Sequence, residues 1–442
     1  MIDGLKPYPA MKDSGVPWLG DVPAHWEVPR LGALVRERGE TNDDNGVTEV
    51  LSVMRERGVI PYAEKGNVGN KKSDDITRYK IVRPDDIVVN CMNVIIGSVG
   101  LSKYTGCLSP VYYVLTRRSD SDEPRYLNAC FQTKPFQLSL VRIGNGILAH
   151  RMRIPMELLK CEPFPRPPAA EQTAIVRFLN SADRRIRGYI RAKQKLIKLL
   201  EEQKRAIIHR AVTRGLDPSV RLKPSSVEWL GDVPEHWEVL PIKRAFISMD
   251  YGISESAIDA GTIRLLTMGN IKNGQVTIPE TGGVAAVDAS LLLDAGDLLF
   301  NRTNSSELVG KVGLFTGADS PVTFASYLVR MRPRPEHEPE YLNAVLNDVS
   351  VLSIARRQAI PSLHQSNLNP TRYGRLQVAL PILDEQRAIL QAIKSKTHDL
   401  EKAISAAHRE ISLLREYRTR LIADVVTGKL DVREAAARLP DE

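Results

Sequence analysis

Trp18-Leu19-Gly20-Asp21-Val22-Pro23-Ala24-His25-Trp26-Glu27-Val28 returns 211 residues later as Trp229-Leu230-Gly231-Asp232-Val233-Pro234-Glu235-His236-Trp237-Glu238-Val239, with ten of eleven positions identical. All four tryptophans of the chain lie in these two copies. Chance does not give such a match in 442 residues, so the sequence is a tandem duplication. Further along, Asp86-Ile87-Val88-Val89-Asn90 matches Asp297-Leu298-Leu299-Phe300-Asn301 at the same offset of 211. Pro124-Arg125-Tyr126-Leu127-Asn128 matches Pro339-Glu340-Tyr341-Leu342-Asn343 at 215. Glu171-Gln172 matches Glu385-Gln386 at 214, as Leu199-Leu200 matches Leu413-Leu414 and Thr213, Leu216 and Asp217 match Thr427, Leu430 and Asp431. The drifting offset places small insertions inside each module of about 210 residues.

Within a module the order is constant. The Trp-Leu-Gly-Asp-Val-Pro motif comes first. Short apolar runs broken by Gly, Asn, Asp and Pro follow, such as Ile87-Val88-Val89, Val111–Leu115 and Tyr327-Leu328-Val329, and they read as strands and turns. Helix is expected near Tyr126–Leu140 and Tyr341–Arg357. A proline hinge (Pro163, Pro165, Pro167 and Pro168; Pro381) precedes a long helix. The expected domains are residues 1–168 and 215–382, each an α/β part, with long helices over 169–214 and 383–430 and a tail over 431–442. The fold class is α+β.

Both helices are free of proline, and the first contains one glycine, Gly188. Its 4-3 stripe runs through Ile175, Leu179, Ala182, Ile186, Tyr189, Lys193, Leu196, Leu200, Gln203 and Ile207. The second carries Ile389, Ile393, Leu400, Ile404, Ala407, Ile411, Leu414, Leu421 and Val425. At ~1.5 Å per residue each helix spans roughly 65 Å. Such seams predict that the two helices pack on one another, antiparallel, as a coiled coil with an approximate twofold relating the modules. The alternative is that each helix folds back on its own globular part. Seam left over would bind partner helices; Ile175, Leu179, Ile186, Leu196, Leu200, Ile389, Ile393, Leu400, Leu414 and Leu421 are the candidate partner contacts.

The net charge is +8, from 61 basic and 53 acidic residues. Residues 169–214 hold 12 basic and 4 acidic residues, an excess equal to that of the whole chain. Arg184, Arg185, Arg187, Arg191, Lys193, Lys195 and Lys198 make this stretch a surface for a polyanion or for acidic partner helices. The apolar content of 43% and charged content of 26% exclude a mainly disordered or fibrous chain. No apolar run suits a membrane span and no secretory signal opens the sequence, so a cytoplasmic protein is expected. Cys91, Cys107, Cys130 and Cys161 form no CxxC pair, which argues against a zinc ribbon or a disulfide framework.

Catalytic motifs are missing. Asn369-Pro370-Thr371-Arg372-Tyr373 lacks the second proline of an amino-methyltransferase motif and reads as a turn. Gly310-Lys311-Val312 and Gly428-Lys429-Leu430 fail as phosphate loops, and Gly144-Asn145-Gly146 stands without a third glycine. Asp85-Asp86 and Asp294…Asp297 lack the lysine of a nuclease site and read as turns before strands. His25 and His236 have no second ligand nearby in sequence and read as a packed corner.

Two modules of this order, with Trp18–Trp26 and Trp229–Trp237 as opening motifs and Pro167-Pro168-Ala169-Ala170-Glu171-Gln172 and Pro381-Ile382-Leu383-Asp384-Glu385-Gln386 as helix starts, resemble the specificity subunit of type I restriction–modification enzymes. The resemblance covers essentially the whole chain. It implies two target recognition domains, each reading one half of a split, asymmetric double-stranded DNA sequence. It implies that the helices space the readers and dock two methyltransferase subunits, which bind S-adenosylmethionine, and that a motor-nuclease subunit cleaves. No catalytic residue, metal or cofactor is then expected in this chain.

Base reading needs Arg or Lys for guanine and Asn or Gln for adenine, and phosphate contacts need Lys, Arg and small hydroxyls. In the first module the candidates are Lys71, Lys72, Arg78 and Lys80 in one polar loop, Asn90 and Asn93 at a strand end, and Arg142, Asn145, His150, Arg151 and Arg153 before the helix. In the second they are Asn301, Arg302, Asn304 and Ser305 after the matching strand, and Arg356, Arg357, Gln358, Ser362, His364 and Gln365 before the helix. Two other readings compete: a coiled-coil scaffold that touches no DNA, and a self-sufficient DNA-modifying enzyme.

Overall fold

The structure, a computed structural model, describes residues 5–55, 57–66, 71–146, 152–227, 230–362 and 365–440. It divides into two compact units, residues 1–193 with 409–442, and residues 194–408. The long helices run over Ala169–Arg214 and Leu383–Val426. The division falls within both helices, so each unit combines one sheet-containing part with a piece of each helix.

The first unit is built on a four-stranded antiparallel sheet in the order Val35–Glu37, Tyr112–Arg117, Ile87–Asn90, Val99–Leu101. Ile87–Asn90 is central and buried throughout, which is why it reads as an unbroken apolar run. The helix Pro124–Phe131 starts on a proline, where no backbone donor is lost, and Glu123 caps it by accepting the Arg125 N–H. Phe131, Phe136 and Phe164 pack with ring centroids 5.3 to 5.4 Å apart. Ile175, Phe178 and Ile186 of the first long helix join this core, together with Leu421, Val425 and Val426 of the second. The tail belongs here too: Val432 and Ala436 are buried in the same core.

The second unit repeats the strand order with Phe246–Tyr251, Leu328–Pro333, Leu298–Asn301 and Val312–Leu314, then adds Gln275–Val276 and Ile271–Lys272. A separate small sheet joins Gly283–Val284, Ile263–Leu266 and Val322–Phe324. Asp86 and Asp297 sit just before matching central strands, and each is buried in a two-pronged arginine pair. Arg38 holds Asp86 at 2.9 and 3.0 Å, and Arg332 holds Asp297 at 2.8 and 2.9 Å.

The duplicated motifs form one joint in each unit. Glu171, in the first turn of the first long helix, accepts the Trp26 indole N–H at 3.0 Å and pairs with His25 Nε2 at 2.8 Å. Glu385 does the same with Trp237 at 3.0 Å and His236 at 2.8 Å. The neighbouring glutamine ties the helix start to the sheet part. Gln172 accepts the Glu123 N–H at 2.8 Å, and Gln386 accepts the Glu338 N–H at 2.9 Å. Carboxylates suit a helix N-terminus, and here they also satisfy a buried indole. The opposite helix ends finish on left-handed glycines, Gly215 at φ +73° and Gly428 at φ +75°.

Antiparallel pairing of the helices holds within each unit. In the first, Asp183 meets Arg418 and Lys193 meets Glu410 at 2.6 Å; in the second, Lys204 meets Glu401 at 2.5 Å. Exposed pairs of this kind contribute at most about 1 kcal/mol each. The buried seam, with Ile389 and Ile393 in the second unit's core, supplies most of the adhesion.

Candidate nucleic-acid interface

In the first unit, Asn90 ends the central strand and its Oδ1 accepts the Met92 N–H at 3.0 Å, which turns the chain so that Asn93 opens the short helix Val94–Ile96. Facing it is a hairpin, Leu51–Met54 paired with Gly58–Pro61. Two tyrosine hydroxyls fasten a polar loop across that hairpin. Tyr62 accepts the Lys72 N–H and Tyr79 accepts the Ser73 N–H, each at 2.9 Å. The result is a cleft of about 820 Å³ that collects Lys71, Lys72, Arg78, Asn90 and Asn93 with Arg55, Lys65, Tyr62, Tyr79 and Tyr112. Asp75 is the only carboxylate among its described lining residues. The Thr77 hydroxyl and N–H bind Asp75 and hold its carboxyl below the usual range. The cleft is therefore basic, aromatic and amide-bearing, the chemistry that holds phosphates and bases.

In the second unit a three-stranded sheet does the gathering. Thr303–Asn304 pairs with Ser366–Asn367, which pairs with Ile360–Pro361. The Thr303 hydroxyl donates to Asn367 Oδ1 at 2.7 Å, and the Leu368 N–H donates to the Arg302 carbonyl at 2.8 Å. Asn301, Arg302, Asn304 and Ser305 thus stand beside the loop that carries Ser362 and Gln365. The first unit makes the matching contact from Ile154 N–H to the Cys91 carbonyl at 2.9 Å, below a backbone bridge between Asn145 and Arg153. The two segments that sequence alone gives as separate candidates are adjacent in both units.

Some candidates are corrected. Arg142 grips the buried Glu162 with two bonds of 2.6 and 3.0 Å, so it holds the sheet part together. Lys80 is committed to Glu37 and to the Tyr112 carbonyl, each at 2.9 Å. Asn301 is 2% exposed and its Nδ2 donates to the Met268 carbonyl at 3.2 Å, so it backs the site from inside. Asn90 is likewise buried and reaches only the cleft floor. Arg357, Gln358 and Arg153 are exposed, and Arg356 is half-buried at the end of the helix Val349–Arg357. His150, Arg151 and His364 lie outside the described residues, as does Trp229 of the repeat. Tyr62, Tyr79, Tyr112 and Tyr251 escaped the sequence reading; basic neighbours were an available signal for Tyr79, between Arg78 and Lys80, and for Tyr62, near Lys65, while Tyr112 and Tyr251 carried none. Asn369 proves to be a helix cap, accepting the Thr371 N–H at 2.8 Å.

Compared with known proteins, 204 residues are 26% identical to a protein of Methanocaldococcus jannaschii named as a type I restriction enzyme MjaX specificity subunit. That match takes in 45% of this chain and 47% of the relative, so the chain aligns with about half the relative's length. A chain from a solved structure of the type I R-M system superimposes with a TM-score of 0.65 at 14% identity, over 92% of this chain and 98% of that one. The HsdS subunit of Thermoanaerobacter tengcongensis gives a TM-score of 0.47 at 15% identity, over 92% and 98%. No protein-family model matches. The chain is similar in sequence to a type I specificity subunit and in fold to a chain of a type I R-M system.

In this fold the seam is largely consumed internally. Ile175, Ile186, Ile389, Ile393 and Leu421 are buried in the units' own cores, which removes them as partner contacts. Leu179, Leu200, Leu400 and Leu414 are half-buried. Leu196 remains exposed, as do Tyr189, Leu199 and Leu413, which the 4-3 stripe either passed over or did not set apart. In the first unit Tyr189, Leu413, Leu414 and Tyr417 line an apolar groove of about 470 Å³ between the helices.

Proposed function

We propose that this chain is the non-catalytic, DNA-reading subunit of a type I restriction–modification system. Each unit reads one half of a split DNA target in the cytoplasm. The exposed helix residues carry two methyltransferase subunits, which bind S-adenosylmethionine and modify adenine, and a motor-nuclease subunit completes the assembly. The observation that carries this reading is one frame built twice, with two different surfaces at the same place. The joints at Glu171 and Glu385 hold the same histidine and tryptophan pair, while one surface is a basic, tyrosine-lined cleft and the other an arginine beside short polar strands. Identical frames with unlike readers suit an asymmetric target. The carboxylates of a self-sufficient nuclease are taken, since Asp86 and Asp297 each bind an arginine. The groove between the helices in the first unit supports partner docking.

The test is binding of the chain, assembled with its methyltransferase subunits, to DNA across a salt series. A reader loses affinity as a power of salt concentration, with the slope falling by about 0.9 for each phosphate contact removed. Lys71→Ala, Lys72→Ala and Arg78→Ala together are expected to flatten the slope by about 2 to 3. No binding at any salt would leave the scaffold reading standing.

A further inference from the structure

Arg302 is a half-buried guanidinium with no carboxylate within ion-pair distance among the described residues. Its neighbours in the sheet differ. Arg330 binds Asp250 at 2.6 Å, and Arg332 binds Asp294 at 2.7 Å and Asp297 at 2.8 Å. Arg302 instead lies over the Tyr251 ring, 5.2 Å from its centroid, and donates through Nη1 to the Ser326 carbonyl at 3.2 Å. Its Nε is buried without a hydrogen-bond partner, and so is Oδ1 of the adjacent Asn301. Tyr251 and Tyr327 beside it are exposed, so the group faces the surface.

A cation partly stripped of water and left without a counter-charge is costly unless an acceptor arrives from outside. The guanidinium carbon sits over the ring and Nη1 is tied to Ser326, so the group is held in place with its remaining N–H groups left for an incoming acceptor. In the major groove, guanine offers O6 and N7 as two adjacent acceptors, the commonest specific partner of arginine. Phosphate also accepts arginine through two N–H groups, so a loss confined to one base position, and not one spread over all sequences, distinguishes a guanine. We infer that Arg302 reads a guanine in the half of the target bound by the second unit, with Tyr251 as its positioning residue. The inference rests on the DNA-reading function proposed above. The repeat-equivalent residue in the first module is Cys91, 211 positions earlier, so the first half-site has no matching arginine contact.

The test uses the chain assembled with its methyltransferase subunits and duplexes carrying the target. The relevant half is the one that changes when residues 215–382 are exchanged for those of a relative. Each guanine of that half, on either strand, is replaced in turn by 7-deazaguanine, which lacks the N7 acceptor. Wild-type complex is expected to lose about tenfold in affinity at one guanine. Arg302→Ala should lose ten- to hundredfold on natural DNA, show no added penalty from 7-deazaguanine there, and accept other base pairs at that position alone. Tyr251→Leu should keep the affinity for non-target DNA and lose discrimination at the same position. A half-site with no sensitive guanine overturns the inference even if the Arg302 variant does not fold. So does an Arg302→Ala complex that weakens on all sequences alike, which marks a phosphate contact. A wild-type complex that binds no DNA at low salt overturns the reading function itself, and the inference with it.

Discussion

Glu171 accepts from the Tyr8 hydroxyl and the Trp26 indole and pairs with His25, and Glu385 holds Trp237 and His236 in the same way. Burial and the Glu171 carboxylate push the Tyr8 hydroxyl well above its ordinary pKa, so at neutral pH it remains a donor. One carboxylate at each joint therefore satisfies the polar edge of a buried tryptophan. Removing it strands that N–H away from water, which costs about 1–3 kcal/mol. Glu171→Ala and Glu385→Ala are each expected to lower stability by that amount. Tryptophan fluorescence during urea unfolding measures it, since each joint holds a tryptophan buried in its unit's core, Trp26 or Trp237. An unchanged midpoint for both variants would show the joints to be ornamental. The histidine–tryptophan spacing and the Glu-Gln helix start were each visible in the sequence. That they are two halves of one joint was not, because residues about 145 positions apart leave no trace of contact in a single chain.

The long helices were legible because proline is absent and apolar residues recur at helical spacing. The strands were legible only as apolar runs. Pairings such as Met11–Asp13 with Asp21–Pro23 involve three residues each and mostly exposed side chains, so no alternation marks them. The seam misled in one respect. Its spacing showed which residues point inward, but it could not tell burial in the chain's own core from burial by a partner. The helix ends offer a paired prediction. At Gly428 a side chain would need a left-handed backbone, and its Cβ would lie 2.2 Å from Pro23 Cδ. Gly428→Ala is expected to destabilise by more than about 1 kcal/mol. Gly188 lies inside the first helix with nothing within 4 Å of an added Cβ, so Gly188→Ala is expected to stabilise by about 0.5–1 kcal/mol. Thermal unfolding of the two variants should move in opposite directions.

For the whole molecule, duplication explains both what repeats and what does not. The strand order, the arginine-paired aspartates before the central strands and the tryptophan joints are kept. The surfaces following those strands have diverged, to a cleft of about 820 Å³ in one unit and to Arg302 on Tyr251 in the other. About half of the candidate DNA contacts gather on these surfaces. Of those that do not, Arg142 and Lys80 are claimed by carboxylates that sequence reading could not pair with them, and Asn301 is buried beneath the surface. The most direct measurement is the genomic methylation pattern, read by long-read sequencing in cells that hold the partner methyltransferase with or without this chain, and with residues 30–160 exchanged for those of a relative. The account predicts a split, asymmetric motif that appears only with the chain and of which the exchange alters one half. Methylation that is independent of the chain, or an exchange that alters both halves, would contradict it.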